Sequence, residues 1–323
     1  MPKTPMSNKL TIGIIAFLVV VGAIYLALTG HFKKSSSGQN LDTNKLQVAT
    51  SFYPLYFFSN QIGIEKSQII NITPAGSEPH DYDPSTGDIA KISKSKMLVL
   101  NGGVEAWGDK TRENLKGKKV LIVVAGEGLL NRQLTEDGQT SIDPHVWLDP
   151  QLAKKEADKI TQGFIKIDSA NNSYYVSNEK MLDDKLDQLD NSYKQGLANC
   201  KQKDIITSHA AFGYLAARYG LNQVPIAGLS PDAEPSSQQL ADVAKFAKEH
   251  NVKYIFFESL VSPKLSETIA SEVGAKTLVL DPLEGLSDDD TTQGKDYFTV
   301  MQSNLKNLQT ALECSSQITP TAS

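Results

Sequence analysis

Five histidines stand in this 323-residue chain, and three of them, His80, His145 and His209, fall at turns or strand ends. His80 lies in "GSEPHDYDPS" (76–85), where Pro79 and Pro84 each remove a backbone donor and push the preceding residue toward extended geometry. Gly76, Ser77 and Asp83 are turn formers, so the stretch reads as a loop presenting an imidazole among carboxylates. His145 follows a proline in "DPHVWLDP", His209 ends the candidate strand "DIITSH", and a fourth strand end, "KTLVLD", presents Asp281. Three imidazoles and one carboxylate make a tetrahedral set suited to Zn2+. Spacing alone leaves that set open against separate, individually satisfied or exposed histidines, because no H-E-x-x-H, H-x-H or C-x-x-C fingerprint is present. His31 in a polar stretch and His250 near a helix end read as bland, the latter complementing the helix dipole.

The elements that must position these residues follow from periodicity. "LQVATSF" (46–52), "QIINIT" (68–73), "MLVLNG" (97–102) and "KVLIVVA" (119–125) are short apolar, β-branched runs with the character of buried strands, and helical spacing lies between several of them, as at 86–95. The same alternation restarts with strands at 204–209, 223–228, 252–258 and 276–281 and helices over 211–219, 236–250, 263–273 and 293–313. Between the two halves only helical spacing is found. Ile160, Phe164 and Ile167 mark one stripe, and Met181, Leu182, Leu186, Leu189 and Tyr193 mark a longer one. The pattern predicts an α/β fold of two α/β halves joined by a long helix, with ligands at the strand ends facing a cleft. The expected segments are an N-terminal lobe over 46–168, a connecting helix over 169–199 and a C-terminal lobe over 200–315.

Composition narrows the function classes. An apolar content of 40% and a charged content of 21% suit a globular protein with a real core. A net charge of −5, with no basic stripe interleaved with aromatics, argues against nucleic acid as a partner. The uncharged run Leu10–Gly30, preceded by Lys3 and Lys9, is long enough to cross a bilayer. Residues 1–30 therefore read as a membrane anchor, with a cleaved signal as the alternative, and 31–45 as a Ser- and Gly-rich linker. Either way the rest of the chain is exported. Cys200 and Cys314 are the only cysteines, so lipid attachment near the N-terminal segment is excluded; they read as one disulfide or as two buried thiols.

Together "GSEPHDYDPS", "DPHVWLDP", "TSHAAFGYLAARYGL" and "LDPL" resemble, in order from about Leu46 to Cys314, the metal-binding solute-binding proteins of bacterial zinc and manganese ABC importers. The resemblance implies two α/β lobes joined by one long backbone helix, with the metal bound in the cleft between them. It implies His80 and His145 as ligands from the N-terminal lobe, His209 as the third ligand and Asp281 as the acidic fourth. Histidine in the third place points to Zn2+ as cargo, with Mn2+ the alternative, in line with the affinity of imidazole for zinc. The chain departs from the family's pattern in lacking a histidine-rich loop before His145 and a cleaved lipoprotein signal.

Glu78 and Glu258 are candidates for orienting the ligands from behind, Asp81 and Asp83 for turn capping or gating, and Asp143 and Asp149 for turn and helix capping. Trp147 and Phe212 are candidates to wall the site. The expected protein is a monomeric extracytoplasmic receptor, not an enzyme. It would hand Zn2+ to an ABC transporter permease while tethered by its N-terminus, or after release by signal cleavage. Alternatives from other classes are a zinc hydrolase with Asp281 or Glu258 as base, and a surface adhesin.

Overall fold

The structure, a computed structural model, describes residues 45–136, 139–232 and 234–315. The apolar run Leu10–Gly30 and the linker expected after it lie outside these residues; among the described residues no helix is long and apolar enough to cross a membrane.

The β-branched runs form parallel strands, of which the inner ones are largely buried and most of the outer ones half-buried. The first half of the described chain runs β1 (Leu46–Thr50), α1 (Tyr53–Gly63), β2 (Ser67–Asn71), α2 (Thr86–Lys94), β3 (Met97–Leu100), α3 (Gly108–Asn114) and β4 (Leu121–Val124). Its strands form a parallel sheet in the order β2-β1-β3-β4, with Val48 opposite both Ile69 and Met97. Alternate residues feed two cores. Val48, Met97 and Val99 face Phe52, Phe58 and Phe164, while Ala49, Leu98 and Leu100 face Ile92 and Trp107.

An antiparallel hairpin, β5 (Gln133–Glu136) and β6 (Gln139–Ile142), then leads to two long helices, α4 (Pro150–Ile167) and α5 (Asn172–Leu197). The second α/β lobe follows as β7 (Asp204–Thr207), α6 (Gly213–Tyr219), β8 (Asn222–Pro225), α7 (Ser237–Glu249), β9 (Tyr254–Phe257), α8 (Lys264–Val273) and β10 (Lys276–Val279), then α9 (Asp288–Thr292) and α10 (Tyr297–Ala311). Its parallel sheet is ordered β10-β9-β7-β8. Every expected strand is present, within a few residues at its ends. α1, α3 and the β5–β6 hairpin were not legible as periodic patterns: α1 is apolar on most of its faces and the other two are short.

Helix α5 is the spine. Its buried residues Tyr175, Asn178, Leu182, Leu186, Leu189, Tyr193 and Leu197 recur at three- and four-residue steps, and it packs on α1, α4 and α10. Met181, expected in this stripe, points outward and is 52% exposed, because one helical step carries it about 100° away from Leu182. Polar side chains in the stripe find partners at both ends. Asn178 Nδ2 donates to Ile62 O in α1, and the Tyr193 hydroxyl donates to Met301 O in α10. Cys200 and Cys314 meet just beyond the helix across an isolated antiparallel bridge, with their sulfurs at bonding distance.

Leu186 is fully buried in the core that the two lobes share. Leu186→Ala is expected to lower unfolding stability by about 2–5 kcal/mol in urea titration, whereas Met181→Ala changes it by under about 0.5 kcal/mol.

Candidate metal centre

His80, His145, His209 and Glu284 each offer one donor atom, and these four atoms lie within 4.8 Å of one another. Glu284 Oε1 is 3.2 Å from His80 Nε2, 3.1 Å from His145 Nε2 and 3.4 Å from His209 Nε2, and the last two nitrogens are 3.3 Å apart. Donors bound tetrahedrally at about 2.0–2.1 Å are separated by about 3.3–3.4 Å, and the three edges from Glu284 Oε1 and the one between His145 and His209 are of that size. His145 and His209 are fully buried and Glu284 nearly so; His80, with 10% of its side chain exposed, is the face open to solvent.

Three donors come from segments that follow parallel strands, His80 after β2, His209 after β7 and Glu284 after β10, whereas His145 follows the antiparallel β5–β6 hairpin. After β2 the chain turns at Gly76, whose φ of 74° suits glycine and whose N–H donates to Leu286 O across the cleft. Pro79 and His80 follow, and the loop ends at a Ser85–Asp88 capping box that starts α2. His145 sits between Pro144, whose carbonyl accepts from Asn101 Nδ2, and a single 3-10 turn before α4. His209 follows β7, its carbonyl accepting from Thr207 Oγ1 and Gln223 Nε2. Trp147 and Phe212 are fully buried, and the Trp147 ring centroid lies 5.1 Å from that of His145.

The fourth donor differs from the sequence expectation. Asp281 is not in the cluster; Glu284, three residues on, takes the place. The Asp281 carboxylate is consumed in shaping the loop that carries Glu284. Oδ2 accepts from Ser259 Oγ at 2.6 Å, and Oδ1 accepts from Leu283 N at 2.7 Å. Leu283 is fully buried with a φ of 59°, a left-handed conformation costing a branched residue about 1–2 kcal/mol, so the turn needs this fastening. Asn304 of α10 grips the Asp281 backbone at both N–H and C=O, and the Trp147 indole donates to Pro282 O at 2.7 Å.

Two further carboxylates stand behind the imidazoles. Asp143 Oδ1 is 2.8 Å from His145 Nδ1, and Glu258 Oε1 is 2.6 Å from His209 Nδ1. With each Nδ1 donating to a carboxylate, the Nε2 atoms face the shared centre, where loss of their protons exposes lone pairs to an ion. Asp143 was read from sequence as a turn residue, and an Asp two positions before a His carried no visible signal of this contact. Asp149 caps α4 by accepting from Gln151 N and is also paired with Arg218. Glu78 accepts from the His80 N–H, while Asp81 and Asp83 lie outside the cluster. His250 is remote, bonded to Asp204 and stacked on Phe246.

The charges are interlocked. Burial alone would lower the pKa of His209, but Glu258 and Glu284 outweigh it and hold the value well above 6.5. His145 is likewise raised, by Asp143 and Glu284 against burial. Burial would raise Glu284, yet His209, His145 and His80 hold it well below the carboxylate range. Asp281 is pushed up to about 6 by burial, and Glu78 up to about 9 by burial and by Glu284.

Metal binding must displace the protons these imidazoles hold, so affinity falls as pH is lowered. Because both pKa values are raised, the fall begins above the ordinary histidine value of 6.5. Calorimetry at neutral pH in buffers of different ionisation enthalpy is expected to count about one to two protons released per ion bound; no release would contradict the charge assignment.

The family profile described as "Zinc-uptake complex component A periplasmic" matches residues 48–311. The "High-affinity zinc uptake system protein ZnuA" of Bacillus subtilis (strain 168) is 40% identical over 308 residues, covering 91% of this chain and 97% of that protein. The "Zinc-binding protein AdcA" of Streptococcus pyogenes serotype M1 is 38% identical over 292 residues; they cover 84% of this chain but 57% of the relative, so this chain spans little more than half of that protein. Among solved structures, the Zn(II)-bound ZnuA-like domain of Streptococcus pneumoniae AdcA matches with a TM-score of 0.72 at 39% identity, over 83% of this chain and 99% of that one. With a profile match across both lobes and this level of identity, the chain belongs to the ZnuA family of zinc-uptake components.

Proposed function

We propose that this protein is an extracytoplasmic receptor that captures one Zn2+ with His80, His145, His209 and Glu284 and delivers it to the permease of an ABC importer. The observation that carries the reading is the set of donor separations, 3.1–3.4 Å between Glu284 Oε1 and the three imidazole nitrogens, which suits a tetrahedral ion. Three nitrogens and one oxygen favour Zn2+ over Mn2+, which takes six oxygen-rich ligands. The names of the relatives, a zinc uptake protein and zinc-binding proteins, point the same way.

Four protein donors leave no position for the water that a hydrolytic zinc site keeps, which favours capture over catalysis. Each lobe supplies two donors, so the ion ties the lobes together. Release requires a partner that stabilises an arrangement in which the two pairs are apart. The apolar run Leu10–Gly30 is read as the tether to the membrane. Cys200 and Cys314 are read as a disulfide closing a separation of 114 residues, suited to an oxidising compartment.

By calorimetry or chelator competition, His209→Ala and Glu284→Gln are each expected to weaken Zn2+ binding about a hundredfold or more, while Asp281→Asn, which keeps an acceptor for the Leu283 N–H, stays within about tenfold. Loss of binding in Asp281→Asn with Glu284→Gln unaffected would overturn the ligand set. Thiol titration of denatured, unreduced protein is expected to find no free thiol. Two titratable thiols would remove the disulfide.

A further inference from the structure

The edge of the first sheet farthest along the strands from the metal centre is unusually basic. The strands are parallel and in register, so the residues preceding them share one edge: Lys45 before β1, Lys66 before β2, Lys96 before β3, and Lys118 and Lys119 just before β4. Backbone bonds fix the neighbourhood, with Lys96 N donating to Gln47 O and Leu121 N donating to Lys96 O. Lys94 ends α2 at the same edge. Lys166 ends α4 there too, since a Cβ on neighbouring Gly163 would meet Met97 at the start of β3.

Lys66, Lys94, Lys96, Lys118, Lys119 and Lys166 are exposed, and among the described residues none of them has an acidic partner; Lys66 lies over the Tyr174 ring. The acids at this edge are few. Glu113 is bonded to Lys116, Asp168 accepts from Asn171 and Tyr175, and Glu65 is exposed. Ile64, 43% exposed, adds an apolar tip beside Lys66. The matching edge of the second sheet is more neutralised: Lys201 and Lys253 both meet Glu313, Lys248 meets Glu272, and Lys203 donates to Leu197 O.

We propose that this basic edge rests on the anionic phospholipid headgroups of the membrane. Two observations select a lipid surface as the occupant. The chain as a whole carries a charge of −5, so the free lysines form a local patch on an acidic protein. The apolar run Leu10–Gly30 is also joined to this very edge, at Lys45, through residues 31–44. Those fourteen residues can span at most about 50 Å, so insertion of the run in a bilayer would hold this edge within that distance of the headgroups. Headgroup attraction acts on each lysine within a Debye length of about 8–10 Å and adds up over the patch. The biological setting rests on the tether proposed above, but the binding itself does not.

The test uses residues 42–323, which form a unit of their own; the solved streptococcal domain described above is matched over 99% of its length by 83% of this chain. Co-sedimentation with vesicles of phosphatidylglycerol and phosphatidylcholine in about equal parts is expected to bind the protein at about 0.1 M salt, to release it at about 0.5 M, and to show no binding to phosphatidylcholine alone. Reversal of Lys94, Lys96, Lys118 and Lys119 to Glu is expected to weaken binding about a hundredfold, and their replacement by Gln about tenfold. Reversal of Lys245, Lys248 and Lys264 in the second lobe leaves it unchanged. Equal binding to both vesicle types, or undiminished binding by the first variants, overturns the proposal. Melting and Zn2+ titration of the same samples report folding and the metal reading separately.

Discussion

Everything at the centre of this protein is arranged around one carboxylate oxygen, Glu284 Oε1, approached by three imidazole nitrogens at 3.1–3.4 Å. Buried cationic rings and a buried anion are each expensive alone and tolerable only together. That dependence explains the pull on both sides, with Glu284 held ionised by His209, His145 and His80 while Glu258 and Asp143 raise the imidazoles. A dication entering this group would replace protons. The donors are therefore gathered before any ion arrives, at the cost of making affinity for an ion sensitive to pH.

Such closeness demands stiff supports, and the fold provides them from both sheets. His145 is gripped through Pro144 by Asn101 and through its ring by Asp143, while His209 is gripped through its carbonyl by Thr207 and Gln223. Glu284 stands on a loop whose left-handed Leu283 is fastened by Asp281, with Asn304 and Trp147 holding the backbone before it. Trp147 belongs to the segment that carries His145, so one indole links that segment to the loop that carries Glu284. The Tyr297 hydroxyl donates to Trp147 O, joining that link to α10, which packs on α5. The helix thus connects the two lobes while remaining outside the metal's immediate surroundings.

Much of this was legible in the sequence, for physical reasons. Strands of a parallel sheet covered by helices read as short apolar runs, and all eight strands of the two parallel sheets were visible that way. His80, His145 and His209 announced themselves because each stands beside a proline or at the end of such a run. Glu284 did not, because it lies in a loop with no periodicity, behind an aspartate that ends the strand and looks like the better ligand. What separates Asp281 from Glu284 is the conformation of Leu283, a tertiary fact that no spacing reveals. The same holds for Asp143, which reaches its imidazole only after folding, whereas Glu258, ending a strand, was a visible candidate for standing behind a ligand. Alignment of the residues before four strands likewise turned scattered lysines into a single charged edge.

The most direct test of the account is a crystal structure of the zinc-loaded protein with anomalous data at the zinc edge. The predicted result is one peak about 2.0–2.2 Å from His80 Nε2, His145 Nε2, His209 Nε2 and a Glu284 oxygen, with Asp281 still bonded to Leu283 N. A zinc ion ligated by Asp281, or by only three side chains and a water, would contradict it.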